Sequence, residues 1–195
     1  MPSRTLLAAL VAIGALLAGI IQMTPDKRTE VLPTPNISQK EAVGTAGYSA
    51  RFHVPADEVW SKVADFPSYH EWSSSLRVEF QDYPLKAGSV GKLVTTTPGK
   101  TPEESPIEIL IVDHQARILA WKAILPVSSS LLLVERVQHV VELPDQPGWC
   151  EYRSWDSWKG PLGYLVQWTV KKVVKDGVRA WGDQELTKYV NSGAA

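Results

Sequence analysis

Residues 48–72, YSARFHVPADEVWSKVADFPSYHEW, mark the boundaries of consecutive structural elements more clearly than any other stretch of the chain. Ala50, Phe52 and Val54 alternate with polar residues, which predicts a strand with one buried face. Pro55 ends that strand and suits the first turn of a helix, because proline has a fixed φ and no N–H that would lack a partner there. The chain is therefore expected to pass directly from a strand into a helix.

Two short helices are predicted after this strand. Val59 and Val63 lie four residues apart and would share the buried side of the first helix. Pro67 disfavours helical geometry in the residue before it, so the first helix should end there. Because proline also suits a first helical turn, a second short helix is expected from Pro67 to about Trp72.

The rest of the folded part reads as strands followed by one long helix. Alternating apolar residues or runs of β-branched residues predict six more strands, at 76–81, 90–97, 107–111, 117–125, 131–143 and 150–158. Residues 100–105 are polar and contain Pro102, so a loop is expected there. From about Leu162 to Trp181, valines gather on one side of a helical repeat and lysines on the other. This order predicts an α+β domain of about seven antiparallel strands curled around a long C-terminal helix.

The motifs of this chain resemble those of the START-like, or SRPBCC, superfamily. That superfamily includes polyketide cyclase/dehydrase-type proteins, lipid-transfer START domains and birch-pollen-allergen-like proteins. The matching motifs are Val-Pro-Ala-Asp at 54–57, Val-Trp at 59–60, Asp-Phe-Pro at 65–67, Arg-x-Leu-x-Trp at 117–121 and aromatic-x-Gly at 158–160. The resemblance covers the chain from Tyr48 onward and implies a helix-grip fold. Many relatives have Asn-Pro after the second tryptophan, where this chain has Ser73 and two more serines.

Composition excludes several classes of partner. The formal net charge of -1 gives no basic surface for nucleic acid. Cys150 is the single cysteine, so no disulfide within the chain is possible, and its neighbours predict a buried side chain on a strand. The four histidines lack the spacing of metal ligands, and no phosphate-binding glycine loop is present. We therefore expect no metal and no cofactor.

The chain is predicted to have three parts: a membrane-directed segment in residues 1–23, a flexible linker at 24–47 and the START-like domain at 48–195. Residues 5–21 are uncharged and just long enough to cross a bilayer. The residues that follow lack the pair of small side chains at which a signal peptide is cleaved. A single-pass anchor is favoured, and secretion after cleavage is the alternative.

A glycosylation motif bears on the side of the membrane that the domain would face. Asn36, Ile37 and Ser38 form an N-glycosylation acceptor, which functions only in the lumen or outside the cell. We therefore expect a glycan on Asn36 and a domain that faces the lumen or the exterior.

A sheet curled around a helix encloses a volume in which a small molecule can bind. Eight tryptophans, each with a large apolar ring and one N–H donor, suit the lining of such a cavity or a filled core. The residues expected at the ligand are Trp60, Trp72 near the mouth, Trp121, Val137, His139, Tyr152, Trp158, Val170, Val174 and Trp181.

Three functions remain open at this point. The first is binding or transfer of a small hydrophobic ligand such as a lipid, sterol, quinone or polyketide. The second is a polyketide cyclase/dehydrase-type enzyme, in which proton transfer would fall to side chains on two neighbouring strands, namely Glu135, His139, Tyr152 and Asp156. The third is an interaction domain with a filled core. The first is favoured because no catalytic constellation is recognisable in the sequence.

Overall fold

A computed structural model of the protein describes residues 32–96, 99, 101–167 and 185–192. The elements, in chain order, are β1 (Gly44–Phe52), α1 (Ala56–Ala64), a 3-10 turn (Phe66–Ser68), α2 (Tyr69–Trp72), β2 (Leu76–Phe80), β3 (Val90–Thr95), β4 (Glu103–Asp113), β5 (Ile118–Ala123), β6 (Leu133–Glu142), β7 (Cys150–Lys159) and α3 (Glu185–Ser192). Residues 163–167 are also helical.

The seven strands form one antiparallel sheet in the order β1-β7-β6-β5-β4-β3-β2. Successive strands from β2 to β7 are neighbours, and β1 pairs with β7 at the far edge. Helices α1 and α2 follow the first strand, as Pro55 and Pro67 predict. The predicted α+β class, with a seven-stranded sheet and two short helices after the first strand, is confirmed.

The main core lies between one face of the sheet and the helices, and we call this side the helix-covered face. Val59 and Val63, four residues apart on α1, are both buried in this core, so the side of α1 that carries them faces the sheet. The sheet contributes alternate residues of its strands, as expected from the period of two. The buried members from the strands are Phe52, Leu76, Val78, Leu93, Ile107, Ile109, Leu119, Trp121, Val140, Cys150 and Tyr152.

A second apolar cluster covers the other end of the same face. Trp158 at the end of β7 packs with Val134 on β6 and with Val166, which lies in the helical residues 163–167. The helical residues 163–167 therefore lie against the sheet, on the side that the valine repeat predicts. The rest of the predicted helix to Trp181, including Val170 and Val174, lies outside the described residues.

The first strand begins earlier than its sequence pattern indicates. Strand β1 starts at Gly44, whereas alternation is first visible at Tyr48, because Gly44 and Gly47 carry no side chain that could reveal a period. Residues 32–43 pack against the sheet as well, and the side chain of Ile37 is 0% exposed. Residues 32–47, which belong to the predicted linker, are thus part of the folded domain.

Strand β4 also differs from its prediction. It begins at Glu103, inside the segment expected to be a loop, and Pro106 lies within it beside β3. A β-bulge between Ile109 and Ile111 then shifts the register with β5. Since a one-residue shift turns side chains to the other face, Ile111 leaves the core and is 38% exposed.

No helix in the part of the chain that the structure describes is long and apolar enough to cross a membrane. The predicted membrane-directed segment at residues 5–21 lies outside the described ranges.

Candidate functional site

An ion pair lies on the helix-covered face, between β6 and β7. Arg136 on β6 and Asp156 on β7 are register partners, so their side chains project from the same face. The Nε and Nη2 atoms of Arg136 donate to Oδ1 and Oδ2 of Asp156 at 3.1 and 3.0 Å. Arg136 is 4% exposed and Asp156 is 1% exposed. The two-point geometry compensates two charges that would each be costly to bury alone.

A second polar pair lies next to this ion pair. Gln138 is two residues after Arg136 on β6, and its Nε2 donates to the hydroxyl of Tyr152 on β7 at 2.9 Å. Both side chains are buried. The other polar atom of the amide, Oε1 of Gln138, is buried and has no hydrogen-bond partner among the described residues. Most buried polar atoms in proteins do have such a partner.

Aromatic side chains surround these polar groups. The Arg136 guanidinium carbon lies 5.7 Å from the centre of the Trp121 ring, within cation–π range. Phe66 meets Trp121 edge to face at 5.8 Å. Trp60 on α1 faces inward, as predicted, and its Nε1 donates to Nδ1 of His114 at 3.3 Å. The described surroundings are thus apolar, with a few convergent polar groups, which is the usual composition of a small-molecule site.

Burial changes the protonation of this centre. It raises the pKa of Asp156 from 3.8 to about 6, although the charge and hydrogen bonds of Arg136 oppose the shift. Burial also raises the pKa of the Tyr152 phenol, against the opposing effect of Arg136. Asp156 can therefore gain or lose a proton close to neutral pH.

Cys150, on the same face, has no such chemistry. Burial raises the pKa of its thiol to about 11, so the side chain stays neutral. It packs in the main core as the sequence predicts.

The four side chains predicted to do acid and base chemistry do not lie together. Tyr152 and Asp156 are on the helix-covered face, whereas Glu135 and His139 project from the opposite side of β6, which we call the outer face. Val137, predicted to line the cavity, is on the outer face too. The alternation predicted for β6 is present, but its even-numbered residues, and not the predicted odd-numbered ones, face the helices.

Glu135 has a structural environment on the outer face. Its side chain is 0% exposed. Oε2 accepts hydrogen bonds from Oγ1 of Thr34 at 2.7 Å and from the backbone N–H of Asn36 at 2.9 Å, and Oε1 accepts one from Nδ2 of Asn36 at 2.7 Å. These three bonds hold the segment of residues 32–43 against the sheet. The Asn36 nitrogen that a glycan would occupy is thus one of the donors.

His139 is half-buried on the outer face. Burial lowers the pKa of its imidazole, and the nearby charges of Arg153 and Arg117 lower it further. A backbone hydrogen bond with Ala116 acts in the opposite direction. Its position across the sheet from Asp156 rules out direct proton transfer between these two groups.

Comparison with known proteins supports the fold. None of the protein-family models matches the chain. The solved structures that it resembles include an aromatase/cyclase from Streptomyces sp. R1128, with a TM-score of 0.54 and 13% identity over 77% of this chain and 93% of that one. Another is norcoclaurine synthase from Thalictrum flavum, with a TM-score of 0.50 and 14% identity over 77% of this chain and 96% of that one.

The chain has the fold of the START-like superfamily. A protein from Thermus thermophilus has the same fold, with a TM-score of 0.55 and 12% identity over 77% of this chain and 99% of that one. Among curated sequences, the chain is 26% identical to "Oxopyrrolidines biosynthesis cluster protein O" of Penicillium oxalicum, over 82% of this chain and 92% of that protein.

Trp72 is the last residue of α2. It is half-buried and stacks on Tyr189 of α3, with ring centres 5.3 Å apart and planes 12° apart. The Nζ atom of Lys62 lies 4.2 Å from the centre of the Tyr189 ring. Trp72, predicted near the mouth of a cavity, thus packs α2 against α3.

Ser73, the first of the three serines that follow Trp72, has a structural role. Ser73 is buried, and its Oγ accepts a hydrogen bond from the backbone N–H of Leu76 at 3.0 Å. Its own N–H donates to the carbonyl oxygen of Tyr69 at 2.8 Å. Ser73 therefore fixes the passage from α2 into β2.

Trp158, the remaining described residue of the predicted lining, is 2% exposed and belongs to the second apolar cluster. Its Nε1 is buried without a partner among the described residues.

Arg136 and Gln138 are the two polar residues of this site that the sequence reading missed. They share one face of β6 with Val134 and Val140, so the same period of two that places Glu135 on one face places them together on the other. An arginine and a glutamine between valines on a predicted strand were the available signal.

Proposed function

We propose that the protein binds a small, largely apolar molecule on the helix-covered face of its sheet. The observation that carries this proposal is the buried polar centre of Arg136, Asp156, Gln138 and Tyr152, which is set among aromatic side chains. A core with a structural role alone would be expected to bury fewer polar groups, since each has to be compensated. The START-like fold, in which a sheet curls around a helix, is suited to the same use.

The curated relative supports a place in small-molecule metabolism. The name of this relative places it in an oxopyrrolidine biosynthesis cluster, and one structural neighbour is an aromatase/cyclase. Both descriptions fit a domain that handles an organic compound of modest size. We therefore favour a polyketide or a comparable biosynthetic intermediate over a sterol, quinone or membrane lipid as the ligand.

Two measurements test the binding proposal. Native mass spectrometry of the full chain from its source should show a bound organic molecule, and adding that molecule should raise the melting temperature of the protein purified without it. Absence of any bound molecule, together with no thermal shift across a panel of polyketides, lipids, sterols and quinones, would support the filled-core interaction domain instead.

Two tryptophans offer a matched control for the location of binding. Trp121 lies on the helix-covered face, and Trp155 projects from the outer face, where its Nε1 donates to the carbonyl oxygen of Pro33 at 3.0 Å. Ligand binding should change the fluorescence of the protein. Replacing Trp121 by Phe should remove much of that change, whereas Trp155→Phe should leave it intact. The reverse result would place the ligand elsewhere.

A second function, a polyketide cyclase/dehydrase-type enzyme, is favoured by one observation. Asp156 has a pKa of about 6 and is hydrogen-bonded to Arg136, so a proton donor or acceptor is available next to a cation. For an enzyme of this kind, Asp156→Asn should abolish cyclisation of a poly-β-ketone substrate. His139→Gln, on the outer face, should leave turnover unchanged, and loss of turnover in this variant would contradict the assignment.

We propose in addition that residues 5–21 anchor the domain to a membrane, with the domain facing the lumen or the exterior. The uncharged run and the Asn36 acceptor support this proposal. Carbonate extraction of membranes would test the anchor, which should stay with the lipid. A glycosidase should shift the mobility of the wild-type chain and leave Asn36→Gln unaffected, whereas an unshifted wild type would place the domain on the cytoplasmic side or show that Asn36 is not modified.

A further inference from the structure

The amide of Gln138 is held in one orientation by its neighbours. Nε2 donates to the Tyr152 hydroxyl at 2.9 Å. The hydroxyl of Tyr69 on α2 donates to the carbonyl oxygen of Val63 at 2.8 Å, so towards Gln138 it can only accept. Burial raises the pKa of Tyr69 well above its usual value, and a hydrogen bond with Gln138 is the largest of the effects that oppose this rise. The nitrogen of the amide therefore faces two phenols, and the oxygen is left as the acceptor.

This oxygen lies on the helix-covered face, which is the side of the sheet proposed to bind the ligand. Gln138 is 4% exposed, and Oε1 has no partner in the described part of the chain. Its neighbours on the same face are Arg136 and Val140 along β6 and Ser154 across on β7. A buried carbonyl oxygen without a donor costs about 1–3 kcal/mol, so a donor supplied by a bound molecule would recover that cost.

We infer that Oε1 of Gln138 accepts a hydrogen bond from the bound molecule, which is an uncharged, largely apolar compound bearing a hydroxyl or an N–H group. This inference rests on the proposed function and specifies its ligand class. Gln138 is then a residue that determines specificity, and Tyr152 positions it.

The absence of a net charge in the ligand follows from the ion pair. Arg136 and Asp156 are bonded to each other at two points, so neither charge is available to neutralise a charged ligand. A carboxylate or an ammonium group placed here would be buried without a counter-ion, which is strongly unfavourable. A phenol, an alcohol, an amide or a lactam can donate to Gln138 without that penalty.

A pair of probes of the same ring system tests the inference on the full chain. 2-Naphthol carries a hydroxyl donor, and 2-methoxynaphthalene has the same rings with an acceptor only. By isothermal titration calorimetry, the wild type should bind 2-naphthol about tenfold more tightly, the effect of one hydrogen bond to a buried acceptor. Gln138→Met has a similar length and no strong acceptor, so it should bind both probes with equal affinity.

The controls separate this inference from the function on which it rests. Val137→Ala, next to Gln138 on the outer face, should keep the tenfold preference. Equal binding of the two probes by the wild type would overturn the role of Gln138 and leave the binding function standing, as would a preference that survives in Gln138→Met. Failure of both probes to bind the wild type would overturn the inferred ligand class, and the binding function itself would fail only if native mass spectrometry and the ligand panel were also negative. Should Gln138→Met not fold, Tyr152→Phe, which removes the hydroxyl that orients the amide, should reduce the preference, and an unchanged preference in that variant would contradict the inference.

Discussion

The guanidinium of Arg136 and the carboxylate of Asp156 meet at two points inside the helix-covered face, at 3.1 and 3.0 Å. Removing one partner leaves the other charge buried and unpaired. At about pH 8, where Asp156 is ionised, Arg136→Met should lower the free energy of unfolding by about 3–5 kcal/mol. Urea denaturation of the wild type and the variant would measure this difference.

Two variants control for this interpretation. Lys92 makes an exposed ion pair with Glu104 at 2.7 Å, so Lys92→Met should cost only about 0–1 kcal/mol. The double variant Arg136→Met with Asp156→Leu removes both charges and should regain most of the lost stability. A double variant as unstable as the single one would show that packing, and not the unpaired charge, determines the loss.

The raised pKa of Asp156 predicts a specific dependence of stability on pH. The pKa of Asp156 is about 6 in the folded protein, whereas its ordinary value is 3.8. Between these two pH values the Asp156 carboxyl is protonated in the folded state and ionised in the unfolded state. The contribution of Asp156 is therefore complete below about pH 4 and is lost as pH rises through 6. It should amount to about 3 kcal/mol over this range.

A difference measurement isolates this effect. Free energies of unfolding would be determined between about pH 4 and pH 7 for the wild type and for Asp156→Asn, which cannot titrate. The free energy of unfolding of the wild type minus that of the variant should decrease with rising pH, because only the wild type loses the stabilising proton of Asp156. The effects of the other carboxylates cancel in this difference. A constant difference over this interval would show that Asp156 titrates at its ordinary pKa.

Sequence periodicity and the positions of prolines predict the order and type of the elements, although β1 and β4 begin earlier than their patterns indicate. Pro55 and Pro67 begin the two short helices, and alternate apolar residues identify the strands. What periodicity cannot supply is the identity of the face that the helices cover. On β6 both sides carry polar residues, Glu135 on one and Arg136 on the other, so the pattern alone does not distinguish them.

The site depends on contacts between residues far apart in the chain. Thr34 and Asn36 bond to Glu135 across about a hundred positions, and this contact gives a buried glutamate a structural explanation that its own strand does not reveal. Likewise, the bulge after Ile109 leaves no trace in the alternation of β4. Such features depend on register and on tertiary packing, which the local sequence pattern does not reveal.

Glu135 should control the attachment of residues 32–43 to the outer face. Glu135→Gln keeps the size of the side chain, but its amide nitrogen cannot accept a hydrogen bond, so a donor of Thr34 or Asn36 loses its partner. The free energy of unfolding should fall by about 1–3 kcal/mol. The amide of Asn36 should exchange with solvent faster, as NMR hydrogen exchange would show.

The matched control is Glu41→Gln, which changes an exposed glutamate of the same segment. Glu41 bonds to Ser38 and Lys159 at the surface, so its replacement should leave the exchange rate of the Asn36 amide close to that of the wild type. Equal acceleration in both variants would mean that the segment is held by its charge as a whole and not by the buried carboxylate.

Gly160, which follows β7 in the aromatic-x-Gly motif, should tolerate no side chain. Its φ is +97°, a value that residues with a Cβ rarely adopt, and an added Cβ would also collide with the carbonyl oxygen of Leu131. That carbonyl accepts the N–H of Leu162 at 3.0 Å, so a displacement would disturb the entry into the helical residues 163–167. Gly160→Ala should therefore cost about 1–3 kcal/mol in thermal or urea unfolding.

Gly88 has φ +88° with open space around it, so Gly88→Ala carries the conformational strain without the collision and should cost less. Equal losses of stability in Gly160→Ala and Gly88→Ala would show that the collision with Leu131 does not contribute to the loss.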